Sequence, residues 1–309
     1  MRIRKDFIQG NGRIAILSNE GVPTPIPVSW RPILGSCDIL VVIPDMHMYV
    51  HGSNLDNFKY GADTMVDFLD HLGILKEDLA LRGRTLRIYQ LGDIYEQRFP
   101  SLSNPGSNAT ATEIRMSHPK YDRILNMMKD MRTHFLYGNH DFELRHFPSF
   151  GFGALEGKVY LEHGFAADTW EDFANPNAPL WEPAQLAFKT LRDIETFFAG
   201  LIVDLGMIQK DEHFAMGVSS GKTEQAEYPS GEAYRSQQKE HYTRALIKHI
   251  NGPLGSTRIC IIGHTHHPYL DPNIDGGKYI FADAGAWTEG RSDFAVVTNE
   301  EIAICRYKR

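Results

Sequence analysis

Cysteine is scarce in this chain. Three thiols among 309 residues, Cys37, Cys260 and Cys305, are an odd number without regular spacing, which argues against a disulfide framework. Cys37 and Cys260 border apolar runs and are expected as buried small hydrophobes rather than ligands. Long hydrophobic runs are missing as well. No window comes near the roughly 18 uninterrupted apolar residues of a membrane span. The opening stretch, MRIRKDFIQGNGRIAILSNEG, lacks the apolar centre of a signal peptide. Nor is there a surplus of positive charge: the net charge of −7 disfavours a broad nucleic-acid-binding face. Internal repeats and low-complexity tracts are also absent. These absences leave a cytoplasmic globular protein as the expectation. The hydrophobic content of 42% is enough to bury a sizeable core in a single domain spanning 1–309.

Within those bounds, short apolar runs alternate with amphipathic stretches. DILVVIP (38–44) reads as a buried strand and TLRIYQLGD (85–93) as a second. Between them, Phe58, Ala62, Met65, Val66, Leu69 and Leu72 recur at helical spacing and predict a helix over roughly 55–73. Residues 100–118, rich in Ser, Asn, Pro and Thr, read as a loop, followed by a helix over about 119–131. THFLYGNHD (133–141), KVYLEHG (158–164) and TRICIIGHTHH (257–267) predict further strands, and KYIFADAGAW, DFAVVTN and EIAICRY predict three more, with a hairpin turn at TNEE. From about 165 to 235 aromatics mix with charge at helix-like spacing, which predicts a helical cap insertion; another helix is expected over about 231–250. Strands alternating with helices and then a run of strands imply a layered α/β fold of two sheets packed between helices.

The polar residues fall in a pattern. Five of the expected strands deliver Asp, Asn or His at their carboxyl ends: Asp45 and His47; Asp93 and Glu96; Asn139, His140 and Asp141; His163; His264 and His266. Ligand sites of open α/β sheets form beyond those ends. Carboxylates and imidazoles without thiolates suit divalent metals of intermediate softness and disfavour a structural zinc site. The number of donors exceeds the need of one ion and suits two, with a carboxylate between them; such a pair polarises a phosphoryl oxygen and lowers the pKa of a water. Along an extended segment, alternation puts His264 and His266 on one side and Thr265 on the other. Taken singly, each group has a plainer reading: a strand-end turn for Asp45 and His47, an Asx-type turn for Asn139 to Asp141, a satisfied half-buried histidine for His163. Their conjunction favours a metal site.

DMH, GDIYE, GNHD, HG and GHTH, in this order, resemble the five motifs of the calcineurin-like metallophosphoesterases over roughly residues 38–290. That resemblance implies a four-layer α/β/β/α sandwich and a dinuclear centre of two divalent ions, Mn²⁺ by expectation, with Fe or Zn as alternatives. It implies that Asp45, His47 and His266 hold one ion, that Asp93 bridges both, and that Asn139, His163 and His264 hold the other. His140 would stabilise or protonate the leaving oxygen, and Asp141 would hydrogen-bond His140. A metal-bridging hydroxide would attack phosphorus in a monoester, diester or pyrophosphate. The implied partner is a small-molecule or nucleotide-type phosphoester. The alternative is a scaffold of this fold without activity, or a metal-dependent binding protein.

The chain departs from its relatives in places. GDIYEQR has Glu96 and Gln97 where the Ser/Thr protein phosphatases carry Asp and Arg, which argues against that reading. GDIYE followed by GNHDF is locally similar to the bacterial UDP-diacylglucosamine pyrophosphohydrolases, many of which have Arg at the position of His140. Glu96 and Arg98 are open between substrate contacts and a surface pair, as are Arg145 and His146. His267 lies outside the His264/His266 alternation and is expected at the surface. The GKT at 221–223 lacks P-loop spacing, with three residues rather than four after Gly217.

Overall fold

The computed structural model describes residues 3, 7, 13–18, 21–53, 55–99, 101, 107–165, 256–288 and 290–308. The expected cap insertion, the helix at about 231–250 and the GKT segment lie outside them, apart from Phe165.

The described residues form a mixed α/β fold. The first sheet has eight strands in the order β1 (Ile14–Ile16), β13 (Glu301–Tyr307), β12 (Asp293–Thr298), β3 (Ile39–Ile43), β4 (Leu86–Gln90), β5 (His134–Leu136) and β6 (Phe150–Gly151), with β2 (Thr24–Pro25) pairing β13. Strands β3 to β6 run parallel, and β12 and β13 join antiparallel. The second sheet has five strands in the order β10 (Tyr269–Ile274), β11 (Tyr279–Asp283), β9 (Ile259–Ile262), β8 (Val159–Glu162) and β7 (Gly153–Glu156), parallel from β11 to β8.

Two-residue alternation builds the layers. In β3, Ile39, Val41 and Ile43 pack into one cluster with helices α1 (Ala62–Leu81) and α3 (Pro119–Asp130), through Met65, Phe68, Leu69, Leu72, Tyr121, Ile124 and Met128. Leu40 and Val42 face the other way, into a cluster with Val159, Leu161, Ile259, Ile261 and Ile280 of the second sheet. The same switch occurs in β12, where Phe294 and Val296 face the helices and Ala295 and Val297 face the second sheet. Full burial of each such side chain contributes about 1.5–3 kcal/mol. Helices, first sheet and second sheet are thus three packed layers.

Several elements differ from the sequence reading. Helix α1 begins at Ala62 rather than near 55, because turns occupy most of 51–60, and it runs through Gly73 to Leu81. The loop at 100–118 contains a short helix, α2 (Ala111–Met116), whose first turn is capped by Thr110 Oγ1 accepting from Glu113 N at 3.1 Å. Strands β1, β2, β6, β7 and β10 were not expected; each is short or at a sheet margin. The three cysteines are buried and free. No described helix is long and apolar enough to cross a membrane.

Candidate metal centre

The parallel strands β3, β4 and β5 end side by side, so the loops that follow them converge, and β8 and β9 bring their own ends to the same place. Main-chain bonds fasten these loops together. Met46 N and His47 N donate to Asp93 O at 3.0 and 2.8 Å, Gly263 N donates to His163 O at 3.0 Å, and Trp287 N donates to Asp45 O at 2.8 Å. Two glycines make room for the acids. A side chain at Gly138 would collide with the Asp93 carboxylate, and one at Gly263 with Asp45 Oδ1.

The donors gather in three overlapping groups: Asp45, His47 and His266; Asp93, His163 and His264; and His47, Asp93 and His140. Within each, the potential ligand atoms all lie within 4.8 Å of one another. Asp45 and Asp93 are almost wholly inaccessible. His163 Nε2 stands between them, 3.4 Å from Asp45 Oδ2 and 3.1 Å from Asp93 Oδ2. His266 Nε2 lies 3.2 Å from Asp45 Oδ2 and 3.1 Å from His47 Nε2. Among the described residues, Asp45 Oδ1 and both ring nitrogens of the fully buried His163 lack a hydrogen-bond partner. Buried polar atoms are normally satisfied, so Asp45 Oδ1 and the His163 ring are left short of partners; a neutral His163 has one lone pair to offer, on one nitrogen only.

Electrostatics tells the same story. Burial alone would raise the Asp45 and Asp93 carboxyls, but His163 and the neighbouring histidines hold both below the usual range. Burial would lower His163, but Asp93 and Asp45 drive it well above an ordinary imidazole. His47 is raised in the same way by Glu96 and Asp93 against the effect of burial. The carboxylates thus pull positive charge into a dry site. Protons supply it when nothing else does, and divalent cations bound to neutral imidazoles would displace them.

Backbone strain is concentrated here. Six described non-glycine residues have positive φ, and four are candidate ligands: His47 (48°), Asp93 (49°), His264 (70°) and His266 (58°). Each such residue costs on the order of 1 kcal/mol, and such strain clusters at functional sites. It also corrects the expectation for GHTH. His264 and His266 do not alternate along an extended segment; a turn carries each, while Thr265 reaches Asp283 Oδ2 at 2.5 Å.

A second correction concerns Asp141. It makes no hydrogen bond to His140. Its oxygens accept from the main-chain N–H groups of Gly138 (2.7 Å), Asp93 (3.2 Å), Ile94 (2.7 Å) and Tyr95 (3.4 Å). Burial and the Asp93 charge push Asp141 up to about 7, and the amides oppose them. The partner of His140 is Glu96, whose Oε2 lies 2.6 Å from His140 Nδ1 and 3.1 Å from His47 Nδ1. One oxygen therefore orients both rings. Glu96 is buried, not a surface residue. Burial and the adjacent Arg98 charge lower His140 to about 4.

Arg98 is also buried. Its Nε donates to Asn139 O at 3.2 Å, and Nη1 lies 3.2 Å from His140 Nε2. The Asn139 oxygen faces Asp93 Oδ2 and His264 Nδ1, the orientation that ligation requires; turned over, the amide would instead accept from Arg98 Nη2 at 2.8 Å and donate to Asp93 Oδ2 and His264 Nδ1 at 3.3 Å each. Arg145 lies over the Phe142 ring, 4.1 Å from its centroid, and His146 is exposed. His267 is half-buried, its N–H directed at Thr265 Oγ1 at 3.3 Å. The sequence reading passed over Asp283. It had a signal: Asp283 closes strand β11, whose parallel neighbour β9 is followed two residues on by His264.

No family model matches the chain, and no curated protein matches it. Among solved structures, 29 chains match. One is a dimetal phosphatase from Danio rerio, 11% identical, covering 87% of this chain and 96% of that chain, with a TM-score of 0.38.

Proposed function

We propose that this chain is a calcineurin-like metallophosphoesterase, a hydrolase of phosphoric esters that uses two divalent cations. The observation that supports it most is the pair of donor groups, Asp45–His47–His266 and Asp93–His163–His264, meeting around two buried carboxylates. Asp45, His47 and His266 would hold one cation. His163, His264 and the Asn139 oxygen would hold the other, with Asp93 shared. When bound, the cations supply Lewis-acid charge toward phosphoryl oxygens and acidify water. Mn²⁺ is the metal proposed, with Fe or Zn as alternatives.

The chain's own groups do the rest. Glu96 keeps the proton of His140 on Nδ1, which sets the tautomer. Nε2 then carries a lone pair facing Arg98 Nη1 at 3.2 Å, so His140 would have to take up a second proton there before it could protonate a leaving oxygen. Arg98 adds positive charge at the same edge. The proposal includes a single domain and a helical cap over about 165–235. It also includes a fourth, helical layer over the outer face of the second sheet, where Tyr160, Cys260, Ile262 and Phe281 are buried. Monoesters, diesters and pyrophosphates share the chemistry at phosphorus, and the bond cleaved is a matter for the cap.

The test is turnover. The purified protein is stripped by chelation, reloaded with Mn²⁺, and assayed on p-nitrophenyl phosphate, its bis-ester and a panel of nucleotide sugars, cyclic nucleotides and dinucleotides. Hydrolysis that vanishes on chelation and returns with metal is expected. Uptake of metal without turnover of any ester would point instead to a binding protein.

A further inference from the structure

The segment that carries two of the candidate ligands is held by the His264 N–H bond to Asp45 Oδ2 at 2.8 Å and by groups outside the donor set. Beyond β9, Thr265 N donates back to Gly263 O at 2.8 Å, with His264 at φ 70° between them. This is a γ-turn of the rare, strained kind. Two residues later His266 is again at positive φ. Nothing in an isolated chain favours two such histidines around one threonine, so the surroundings must impose them.

The imposition is visible. Thr265 Oγ1 donates to Asp283 Oδ2 at 2.5 Å and accepts from His267 N at 3.3 Å. Asp283 is buried at the end of β11, and its other oxygen accepts from Gly285 N at 2.8 Å. Parallel pairing of Asp283 with Ile262 puts this anchor beside the loop. On the far side, Arg291 Nη1 donates to His266 O at 2.8 Å. The two histidines serve different donor groups, His264 with Asp93 and His163, and His266 with Asp45 and His47.

We infer that Thr265 and Asp283 form a positioning pair that keeps His264 and His266 in their left-handed backbone and so presents one imidazole to each of two cation positions. This rests on the dinuclear reading. It gives one hydroxyl, which ligates nothing, control over both positions together. A purely structural hydrogen bond would instead affect folding and leave cation affinity alone.

The test is titration of chelated full-length protein with Mn²⁺ by calorimetry, for wild type, Thr265→Val and Thr265→Ser, beside thermal unfolding of the metal-free forms. Thr265→Val is expected to weaken both binding steps roughly ten- to hundredfold, and Thr265→Ser to stay within about twofold of wild type. Thr265→Val also takes a donor from the buried Asp283 carboxylate, so its metal-free unfolding midpoint should fall as well, while Thr265→Ser should hold it. Wild-type affinity in Thr265→Val, weakening of one step alone, or loss of metal-free stability with affinity intact would each overturn the inference. Should Thr265→Val fail to fold, Asp283→Asn takes its place: joint weakening supports the pair, and wild-type affinity defeats it. A wild-type protein that takes up no Mn²⁺ defeats the dinuclear reading itself, and the inference with it.

Discussion

Asp45 and Asp141 are both fully buried aspartates in the same cluster of strand-end loops, yet their surroundings are opposite. Asp141 is surrounded by donors, four main-chain N–H groups that pin the loops after β4 and β5 to each other. Asp45 has an oxygen with no partner, and its other oxygen faces His163 and His266 as well as the N–H of His264 at 2.8 Å. One carboxylate is finished by the protein and serves as a structural knot. The other is left incomplete at a cost that a bound cation would offset. Burial and charge alone do not separate a ligand from a scaffold residue; what separates them is whether the protein has already supplied the partners.

Substitution should break this comparison in two different ways. On the proposed reading Asp93 would be shared by the two cations, and Asp93→Asn would be the most damaging change to activity. We expect a loss on the order of 10³-fold in kcat/KM, and both cations weakened together in calorimetric titration. Weakening of one cation alone would remove Asp93 from the shared position. Asp141→Ala should behave oppositely. It strands several buried amides and should cost about 3 kcal/mol of stability, read as a lowered denaturant midpoint. At temperatures where the variant stays folded, its cations should still bind. If Asp141→Ala unfolds no more easily than wild type but loses metal, the division between knot and ligand fails.

That division also marks how far the sequence could be read. The apolar run of β3 and the alternation in β12 and β13 are local, so strand positions were legible. So was the rule that polar residues cluster at carboxyl ends, which pointed to the Asp and His side chains that gather here; the division into ligands came from the family resemblance. The partner of His140 was not legible. Asp141 is its chain neighbour, but the loop after β5 turns that carboxylate inward to the amides, and Glu96, 44 residues earlier in sequence, takes the ring nitrogen. Adjacency in sequence lost to the geometry of a turn. The left-handed residues at His264 and His266 were hidden for a related reason. Neither histidine prefers that backbone, and the bonds that hold the loop reach distant residues, Asp45, Asp283 and Arg291. The short strands β1, β2 and β6 carry too few residues for any period to show.

Glu156 sharpens the comparison from outside the site. It ends β7, is buried, and is as complete as Asp141. It accepts from Ser36 N at 2.8 Å, Ser36 Oγ at 2.7 Å and Arg87 Nη1 at 2.6 Å. Burial would raise its carboxyl, but the Ser36 bonds and then Arg87 hold it below the ordinary value. A carboxyl depressed in the folded state adds stability above its unfolded pKa, near 4.3, and that stability is lost as pH falls through the folded value. Arg87 is 36% exposed, so its share is screened and the Ser36 bonds carry more of the effect. Glu156→Gln should therefore cost only about 1 kcal/mol at neutral pH. The difference from wild type should shrink as the pH drops below about 4, measured by denaturant titration at several pH values. The cation affinities of this variant should match wild type, because a carboxylate that the fold has already satisfied has nothing left to offer a metal. A gap that stays constant down to pH 3, or widens, would mean that the donors around Glu156 do not favour its charge.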